Sequence, residues 1–259
     1  MVKMGVGVVK SGTGLLYILK GKGMKIEHKV IKEILRKEDP VVLELGAHTG
    51  EDTQKFLDVF KDIRIYCFEP DPRCIKQFKS FIKDKRCVLT EAAVSNRDGQ
   101  VVLNMSSGWP PHLVPRRYQI LGLSCLYLFL KRNDWDYSSS IKNSKSNSSE
   151  HPWLKFDRKV QVQSMRLDSW VAHKGVKAID FIWSDIQGAE KDMIDGASSV
   201  LKICKYFYTE YGEVGSYSGA LTKEETIELL RKHDFELVPE YSSSEKRGNL
   251  LFRNMRLAA

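Results

Sequence analysis

The sequence predicts an α/β fold built on a doubly wound, mostly parallel sheet that ends in an antiparallel hairpin. The first observation is a continuous apolar run at residues 41–45 (VVLEL), typical of a parallel strand because a strand covered by helices on both faces need not alternate. The second is the pair Gly46 and Gly50 directly after it, followed by an amphipathic segment, so that strand, turn and helix form one βα unit. The third is the alternation of strands with helices as far as two closing strands, FELVP and NLLFRN. Together they indicate a Rossmann-like sheet whose last two strands pair at its edge.

Length and composition indicate one ordinary globular domain with insertions. The chain has 259 residues, of which 42% are hydrophobic and 29% are charged. Its formal net charge is +8, but the 41 lysines and arginines are interleaved with 33 acidic residues and do not cluster. We therefore expect these charges to belong to an ordinary solvated surface. A binding face for an acidic or phosphorylated partner is the less favoured interpretation.

The cysteines and the hydropathy pattern predict a cytoplasmic protein. The five cysteines form no C-x-x-C pair, and their odd number leaves no complete pairing, which favours a reduced compartment. The apolar stretch GLLYIL near the N-terminus is too short for a secretory signal, and no apolar run reaches about 18 residues. We expect no membrane span.

Residues 1–38 are expected to form an arm and a helix in front of the main domain, which covers 39–259. The stretch GVVKSGT resembles half of a phosphate-binding loop, but no Lys-Ser/Thr pair follows its second glycine, so we reject such a site. A small hairpin or an irregular arm is predicted instead, followed by a helix at about 26–37 that stops before Pro40.

The turn after the first strand suits the amino-acid part of S-adenosylmethionine. Its pattern, E-x-G-x-x-x-G, places an acidic group in the strand, where it would hold the ligand's ammonium and repel a pyrophosphate. The glycines allow the backbone to approach a ligand, and the helix that follows offers unpaired N–H groups. The alternative is a glycine turn that serves packing alone. The predicted cofactor contacts are Glu44, Gly46, Ala47, His48 and Gly50, with Thr53 as a capping or carboxylate-binding hydroxyl.

Two further strand ends complete the predicted cofactor site. The segment 63–72 (IRIYCFEPDP) is predicted as the second strand, and Glu69 at its tip is expected to accept both ribose hydroxyls, about twenty residues after the glycine turn. The third strand is predicted over 86–95, where a backbone N–H and a polar side chain would contact the adenine. Glu91 and Ala92 are the predicted contacts, and a surface carboxylate is the alternative interpretation of Glu91.

Residues 106–157 differ in character from the rest and are predicted to form an inserted substrate or lid region. The apolar segment YQILGLSCLYLFL is predicted either as a core helix or as a lip at a substrate cleft or a dimer contact, and the last case would make the protein a homo-oligomer. The serine- and asparagine-rich tract after it is predicted to be a mobile loop and a candidate lid. His112, near the start of the region, is a candidate catalytic residue, with a structural role as the alternative.

The remaining chain supplies further strands and the polar residues at their ends. An alternating segment (RKVQVQSM) is predicted as a strand before a short helix, and two buried strands follow, IDFIWS and KYFYTEY. Asp185 comes directly after the first of them, and Glu210 lies at the end of the second. The sequence TKEE at 222–225 predicts a capping box at the start of the last helix.

These motifs resemble the FkbM-type S-adenosylmethionine-dependent methyltransferases over about residues 40–240. The blocks that carry the resemblance are ELGAHTGEDT, CFEPDPRC, EAAVSNRDG, WDYSSS, VQSMRLDSW and, most specifically, IDFIWSDIQGAEKDMIDGA. The last block departs from the family's I-D-x-x-K-x-D-x-E-G-x-E pattern at Trp183, where Lys is frequent, and at Gln187, where Glu is frequent, whereas Asp185 and Glu190 match. The resemblance implies a class I methyltransferase sheet, S-adenosylmethionine as methyl donor, and transfer to an oxygen, typically a hydroxyl of a sugar or glycan.

Methyl transfer of this kind needs an aligned hydroxyl and a group that removes its proton. Asp185, at the carboxyl end of its strand, is the first candidate for the base or for the group that orients the acceptor, and we expect it to border the cofactor as well. Glu210 is the second candidate and His112 the third. Glu190 is expected to interact with the N-terminus of the helix that follows. No set of cysteines, histidines or acids shows metal-ligand spacing, so no metal is predicted, with a hard cation at Asp185 and Glu210 as the alternative.

Two other functions fit parts of the sequence. A nucleic-acid 2′-O-methyltransferase would suit the positive charge, but that chemistry commonly uses a Lys-Asp-Lys-Glu set, and no lysine is apparent beside Asp185 and Glu210. A scaffold that binds S-adenosylmethionine without catalysis is kept open by the departures at Trp183 and Gln187. We expect a sugar or glycan as the partner, in preference to nucleic acid.

Overall fold

The computed structural model describes residues 25–108, 135–144, 152–211, 217–243 and 248–257, together with the backbone of two short strands at 7–11 and 14–18. The alternation of strands and helices expected from the sequence is present in these ranges. In chain order the elements are β1 (Gly7–Ser11), β2 (Gly14–Ile18), α1 (His28–Leu35), β3 (Val41–Leu45), α2 (Glu51–Val59), β4 (Arg64–Phe68), α3 (Pro72–Phe81), β5 (Cys87–Thr90), β6 (Ala93–Val94), β7 (Gly99–Ser107), β8 (Lys155–Met165), α4 (Leu167–Lys174), β9 (Ile179–Ser184), α5 (Glu190–Asp195), α6 (Ser198–Lys202), β10 (Cys204–Tyr211), α7 (Lys223–Arg231), β11 (Phe235–Leu237), a 3₁₀ turn (Pro239–Tyr241) and β12 (Gly248–Asn254).

The centre of the described fold is a seven-stranded sheet in the order β5-β4-β3-β9-β10-β12-β11. The strands from β5 to β10 are parallel, and β12 runs antiparallel to both β10 and β11. The predicted doubly wound, mostly parallel sheet with a terminal antiparallel hairpin is therefore confirmed. Within that hairpin β12 is the interior strand, and its residues Leu250, Leu251 and Phe252 are fully buried.

Apolar layers cover both faces of this sheet. Successive side chains of a strand point to opposite faces, so Leu43 of β3 packs into one cluster with Trp170, while Val42 packs into the other with Phe56. The neighbouring strand β9 is buried along its whole length. Burial on both faces explains why these two strands are continuous apolar runs.

The alternating segment before α4 is a strand, as predicted, but it belongs to a separate three-stranded sheet. There β8 pairs antiparallel with β7 and parallel with β6. The predicted third strand over 86–95 is consequently wrong in its extent, because β5 joins the main sheet and β6 joins the small one. Alternation suits this sheet, since one face packs around Leu103 and Val162 and the other is open to solvent.

The described part of the inserted region, 135–144, crosses the small sheet beside β7. Backbone hydrogen bonds join Asn104 and Ser140 in both directions, at 2.8 and 3.1 Å. The Asn104 amide also donates to the carbonyl of Lys142 at 3.0 Å. His112, the apolar segment YQILGLSCLYLFL and part of the serine- and asparagine-rich tract lie outside the described residues.

The N-terminal segment contains a strand pair and a helix. β1 and β2 form an antiparallel hairpin, one of the two forms predicted, and α1 is shorter than the predicted helix at about 26–37. The division into an arm at 1–38 and a main domain at 39–259 stays a prediction. At α7 the capping box is confirmed, since Thr222 and Glu225 exchange both of its hydrogen bonds. No helix within the described ranges is long and apolar enough to cross a membrane.

Candidate active site

A cavity lies at the carboxyl ends of β3, β4 and β9, where the chain crosses from one side of the sheet to the other. It measures about 950 Å³ including its open mouth. Open α/β sheets bind their ligands at this kind of switch point. Of the predicted site residues within the described ranges, Gly50, Thr53, Glu91 and Glu210 lie outside the lining. Those that line the cavity are Glu44, Gly46, Ala47, His48, Glu69, Ala92 and Asp185.

The glycine turn forms the floor of the cavity. Gly46 has φ 82°, and a Cβ at this position would clash with the carbonyl oxygen of Asp185. Gly50 has φ 92°, and a Cβ there would lie 2.6 Å from the side chain of Ile82. The backbone N–H of Asp185 donates to the carbonyl of Leu45 at 2.9 Å. Glycine at 46 therefore brings the turn after β3 against the loop after β9.

Glu44 lies beneath this turn and is 1% exposed. The Thr53 hydroxyl donates to its carboxyl at 2.5 Å, so Thr53 supports Glu44 and does not reach the cavity itself. Burial raises the pKa of Glu44 to about 8, although the hydrogen bond from Thr53 opposes the rise. A cationic ligand group in the cavity would favour the ionised form of this carboxyl.

Glu69 at the tip of β4 is the second buried carboxyl of the cavity. One of its oxygens accepts from the backbone N–H of His48 and the other from that of Asp71, both at 2.8 Å. Burial raises the pKa of Glu69 to about 7, against these two hydrogen bonds. Each carboxylate oxygen can accept a second hydrogen bond, so the group is held in place while it can still bind hydroxyls.

The two residues predicted to contact the adenine are separated by the structure. Ala92 is 2% exposed and lines the cavity next to Ala93. The carboxyl of Glu91 points elsewhere, is about half exposed and forms an ion pair with Lys79 at 2.5 Å. Of this predicted pair, the structure brings Ala92 alone to the cavity.

The described part of the inserted region forms one wall of the cavity. The His48 ring nitrogen Nε2 lies 2.9 Å from Asp136, and Tyr137 packs on the same ring with centroids 4.2 Å apart. The Ser139 hydroxyl donates to Asp71 at 2.9 Å and so fastens this wall to the end of β4. Sequence reasoning missed Asp136 and Tyr137 as site residues, although the block WDYSSS carried part of the family resemblance and was the available signal.

His48, Cys74 and Asp136 place a nitrogen, a sulfur and an oxygen atom within 4.8 Å of one another, a spacing that a metal ion could bridge. The His48–Asp136 hydrogen bond accounts for two of these atoms. Burial raises the pKa of the Cys74 thiol far above its usual value. Burial and the His48–Asp136 hydrogen bond thus describe the three side chains as they stand.

Asp185 is the centre of the polar groups at the end of β9. Its Oδ2 accepts from Lys25 Nζ at 2.9 Å, and its Oδ1 accepts from the Gln187 amide at 2.7 Å. Burial by itself would raise the pKa of Asp185, but the charge of Lys25 and hydrogen bonds from Glu210, Lys25 and Gln187 lower it. Asp185 is ionised at neutral pH.

Glu210 shares a hydrogen bond with Asp185 from the end of β10. Burial raises the pKa of Glu210 to about 9, and the charge of Asp185 adds to the rise. Glu210 therefore holds a proton at neutral pH and donates it toward Asp185. Glu190, the other nearby acid, accepts from the backbone N–H of Gly188 at 3.3 Å, ahead of α5.

The expectation that no lysine stands beside Asp185 and Glu210 is wrong, because Lys25 does so. It comes from 160 residues earlier in the chain, a separation at which spacing carries no information.

Both departures from the family pattern lie beside Asp185 and Lys25. Trp183 is 2% exposed and lies below Lys25, whose Nζ is 5.7 Å from the ring centroid. The oxygen of the Gln187 amide lies 3.0 Å from the Tyr217 hydroxyl.

His112, the third catalytic candidate, lies outside the described residues, so its place relative to the cavity is not described.

Comparisons with known proteins identify a family and several similar proteins. The family model described as the methyltransferase FkbM domain matches residues 44–237. The 2-O-methyltransferase NoeI of Sinorhizobium fredii is 33% identical over 231 residues, which is 89% of this chain and 86% of that protein. Among solved structures, a putative rRNA methylase of Clostridium thermocellum has a TM-score of 0.45 at 8% identity, covering 89% of this chain and 96% of that one. Aeropyrum pernix fibrillarin with bound S-adenosylmethionine has a TM-score of 0.41 at 11% identity, covering 95% and 99%.

The two structural likenesses are too remote to bear on function. The family match spans the strands that form the cavity, including the glycine turn, Glu69 and Asp185, and the NoeI match covers most of both chains. The chain therefore belongs to the FkbM methyltransferase family and is an S-adenosylmethionine-dependent methyltransferase.

Proposed function

We propose that the protein methylates a hydroxyl group of a sugar or glycan. The observation that carries this proposal is the ionised carboxylate of Asp185 at the cavity, beside the protonated carboxyl of Glu210. A carboxylate at this place can orient a hydroxyl group and take its proton. The relative NoeI is named as a 2-O-methyltransferase, which supports transfer to oxygen.

The charges of the cavity support a neutral acceptor. Six carboxyl groups line it, and Lys25 is the sole lysine or arginine among the described lining residues. Affinity for nucleic acid comes mainly from lysines and arginines that neutralise phosphates. A nucleic-acid acceptor would meet repulsion here, and one lysine does not complete the Lys-Asp-Lys-Glu set. The six acids are Glu44, Glu51, Asp52, Glu69, Asp136 and Asp185.

The residues of the cavity fit S-adenosylmethionine. Glu44 is buried with a raised pKa, so a ligand ammonium beside it would supply the missing counter-charge. Glu69 would accept the ribose hydroxyls, and the backbone of Ala92 would border the adenine. Glycine at 46 keeps the turn against the backbone of Asp185, and the amino-acid part would lie along this turn. When bound, S-adenosylmethionine supplies a methyl group on a sulfonium, whose leaving group is already good.

The chain's own task is to hold and deprotonate the acceptor. A hydroxyl bound at the cavity donates a hydrogen bond to Asp185, which fixes its oxygen. Asp185 accepts the proton as the oxygen gains its methyl group. Glu210 keeps its own proton at neutral pH and stabilises the Asp185 carboxylate as a hydrogen-bond donor. The cytoplasmic location and a homo-oligomeric state stay predictions.

The test is transfer of labelled methyl from S-adenosylmethionine to a panel of sugars and oligosaccharides, with RNA as the competing acceptor. We expect label in one or more sugars and none in RNA. Asp185→Asn should lower kcat by about 10²–10⁴-fold, the usual contribution of a general base, with the cofactor still bound. The matched control is Asp195→Asn, because Asp195 is an exposed acid whose partner is Lys191.

Two outcomes would contradict the proposal. Label in RNA and in no sugar would support the nucleic-acid alternative. An Asp185→Asn variant as active as the Asp195→Asn control would remove Asp185 from the reaction.

A further inference from the structure

Lys25 stands at the cavity although it precedes the part of the chain that the family model matches. Its Nζ lies 2.9 Å from Oδ2 of Asp185 and 3.5 Å from Oδ2 of Asp52. The side chain is 45% exposed, so one side of the ammonium faces the carboxylates and the other faces the open cavity. The matched region begins at Glu44, so Lys25 belongs to the N-terminal segment that lies before it.

The chain around Lys25 is fastened to the sheet, so the lysine is not a freely moving surface residue. The backbone N–H of Ile26 donates to the hydroxyl of Tyr208 on β10 at 2.8 Å, and Ile26 is 4% exposed. His28, at the start of α1, stacks on Trp183 with ring centroids 5.1 Å apart. These two contacts with β10 and β9 therefore fix the backbone directly after Lys25.

Trp183 gives the ammonium a surface to lie on. The indole ring is fully packed between Phe56 and Tyr208, with centroids 5.7 and 4.6 Å away, and cannot turn aside. Lys25 Nζ lies 5.7 Å from the indole centroid, within the range of a cation–π interaction. The bulky ring at position 183 thus occupies the space below the carboxylates and directs the cation of another segment onto Asp185.

The charges around the Asp185–Glu210 pair require a cation. The groups that face the pair are mainly acids and neutral hydroxyls, and the lysine of α2, Lys55, hydrogen-bonds Asp52. Like charges raise the pKa of a carboxyl and an adjacent ammonium lowers it. The titratable groups that face Asp185, Glu210 or Lys25 are Glu44 of β3, His28 of α1, Asp52 of α2, Glu190 of α5, Tyr208 of β10 and Tyr217 of the loop after β10.

We propose that Lys25 is a positioning residue of the methyl-transfer site, supplied by the N-terminal segment, which keeps Asp185 ionised and aimed into the cavity. It acts through Asp185, so the proposal rests on the proposed function. In the wild type, the pair carries one proton, held by Glu210. Without Lys25, Asp185 and Glu210 face each other among acids, and the pair takes up a second proton at a higher pH.

The sign of the expected effect follows from the base being active when ionised. Activity falls as the pH drops below the pKa of the base, which gives the acidic limb of the pH profile. Removal of a cation at 2.9 Å raises that pKa, so Lys25→Met should move the acidic limb upward by about 1–3 pH units. Lys25→Arg should restore most of the wild-type profile, because it keeps the charge. Since kcat depends on the base, Lys25→Met should lower kcat near neutral pH more than it changes KM for S-adenosylmethionine.

The chain contains a matched control in Lys37. Lys37 also comes from the N-terminal segment and also pairs with an aspartate of β9, Asp180, at 3.0 Å, but at the opposite end of the strand. Lys37→Met should leave the acidic limb unchanged. Circular dichroism and thermal unfolding of each variant show that the fold is kept, and Lys25→Gln serves as a second variant.

A readout without an acceptor separates this proposal from the proposed function. Carbon-13 NMR of the Asp and Glu carboxyls, assigned with Asp185→Asn and Glu210→Gln, follows the titration of the pair directly. We expect Lys25→Met to shift this titration upward and Lys37→Met to leave it in place. Equal titrations in all variants would overturn the role of Lys25. A panel in which no sugar is methylated would overturn the proposed function, while the NMR comparison would still decide on Lys25.

Discussion

The two ends of strand β9 carry the same kind of ion pair with different consequences. At the amino end, Asp180 is 3% exposed and accepts from Lys37, Lys205 and the backbone N–H of Val41, at 2.9–3.0 Å. At the carboxyl end, Asp185 accepts from Lys25 and Gln187 and shares a hydrogen bond with Glu210. Each end thus pairs an aspartate with a lysine of the N-terminal segment.

The difference lies in the balance of charge and in access to the cavity. Two lysines and a backbone N–H surround Asp180, which lies away from the cavity lining. Burial by itself would raise the pKa of Asp180, but these donors lower it. At the other end, one lysine serves Asp185 and Asp52 together, and Glu210 stays protonated. From this comparison we expect the balanced ion pair at Asp180 to serve stability, and the acid-rich group at Asp185 to serve the proposed reaction.

After Asp185→Asn, the largest expected effect concerns cofactor binding at the carboxyl end of the sheet. Glu69→Ala removes both oxygens that we propose accept the ribose hydroxyls, and we expect the Kd for S-adenosylmethionine to rise by about 10–100-fold, as for a lost hydrogen bond to a charged group. Calorimetric titration measures the change. Glu91→Ala is the matched control, because Glu91 is exposed and paired with Lys79. A loss of affinity in the Glu91 variant, with none in the Glu69 variant, would exchange the two assignments.

A smaller effect is expected at the amino end, and it concerns stability alone. Asp180→Asn removes the charge that Lys37 and Lys205 share, and we expect the free energy of unfolding to fall by about 1–3 kcal/mol. Denaturant unfolding measures it, with Asp195→Asn as the exposed control. The kcat of the folded Asp180 variant should equal that of the wild type. A loss of kcat at full stability would break the distinction between the two ends.

The smallest expected effect concerns the pH dependence of stability. Groups at the carboxyl end and at the amino end of the sheet are expected to change the free energy of unfolding in opposite directions as the pH rises. The pKa of Glu44 is raised to about 8 and that of Glu69 to about 7, so these groups bind protons more tightly in the folded state. Their contribution to stability is present in acid and is lost as the pH rises toward these values, by up to about 1.4 kcal/mol per pH unit for each group. The lowered pKa of Asp180 acts in reverse, since its contribution is present above the usual carboxyl pKa and is lost in acid.

Unfolding of the ligand-free protein between about pH 6 and pH 8 tests this response. We expect stability to fall over that range and the Glu44→Gln variant to show a shallower slope. If the Glu44 variant and the wild type had the same slope, Glu44 would titrate as an ordinary surface carboxyl.

The parts of the site that could be predicted are those in which local sequence determines geometry. A buried strand, a glycine turn and a helix start are adjacent in the chain, so Glu44, Gly46 and Glu69 could be placed at one crevice before any coordinates. Asp185 followed from the same rule for strand ends. Glu91 shows the limit of that rule, because its position next to Ala92 did not tell which of the two side chains would face the cavity.

The parts that could not be predicted depend on contacts between distant segments. Asp136 comes from an inserted loop whose path is set by hydrogen bonds with β7 and Asp71. Lys25 comes from the N-terminal segment and meets Asp185 across the whole sheet. The sequence correctly shows Trp183 where a lysine is frequent in the family. In the fold, however, a distant segment supplies a cation at the same place, and residue spacing along the chain does not reveal contacts between distant segments.

The fastening of Ile26 to Tyr208 also has a consequence for the order of folding. These residues are 182 positions apart, and contacts of such separation form late because a long loop must close first. During synthesis the N-terminal segment leaves the ribosome long before β9 and β10 exist, so Lys25 has no place to dock until the sheet is nearly finished. Glu69 is held by residues close to it in the sequence, whereas Lys25 and Asp185 are 160 residues apart, so we expect their contact to form late. The proposed site would then be completed in one of the last steps of folding.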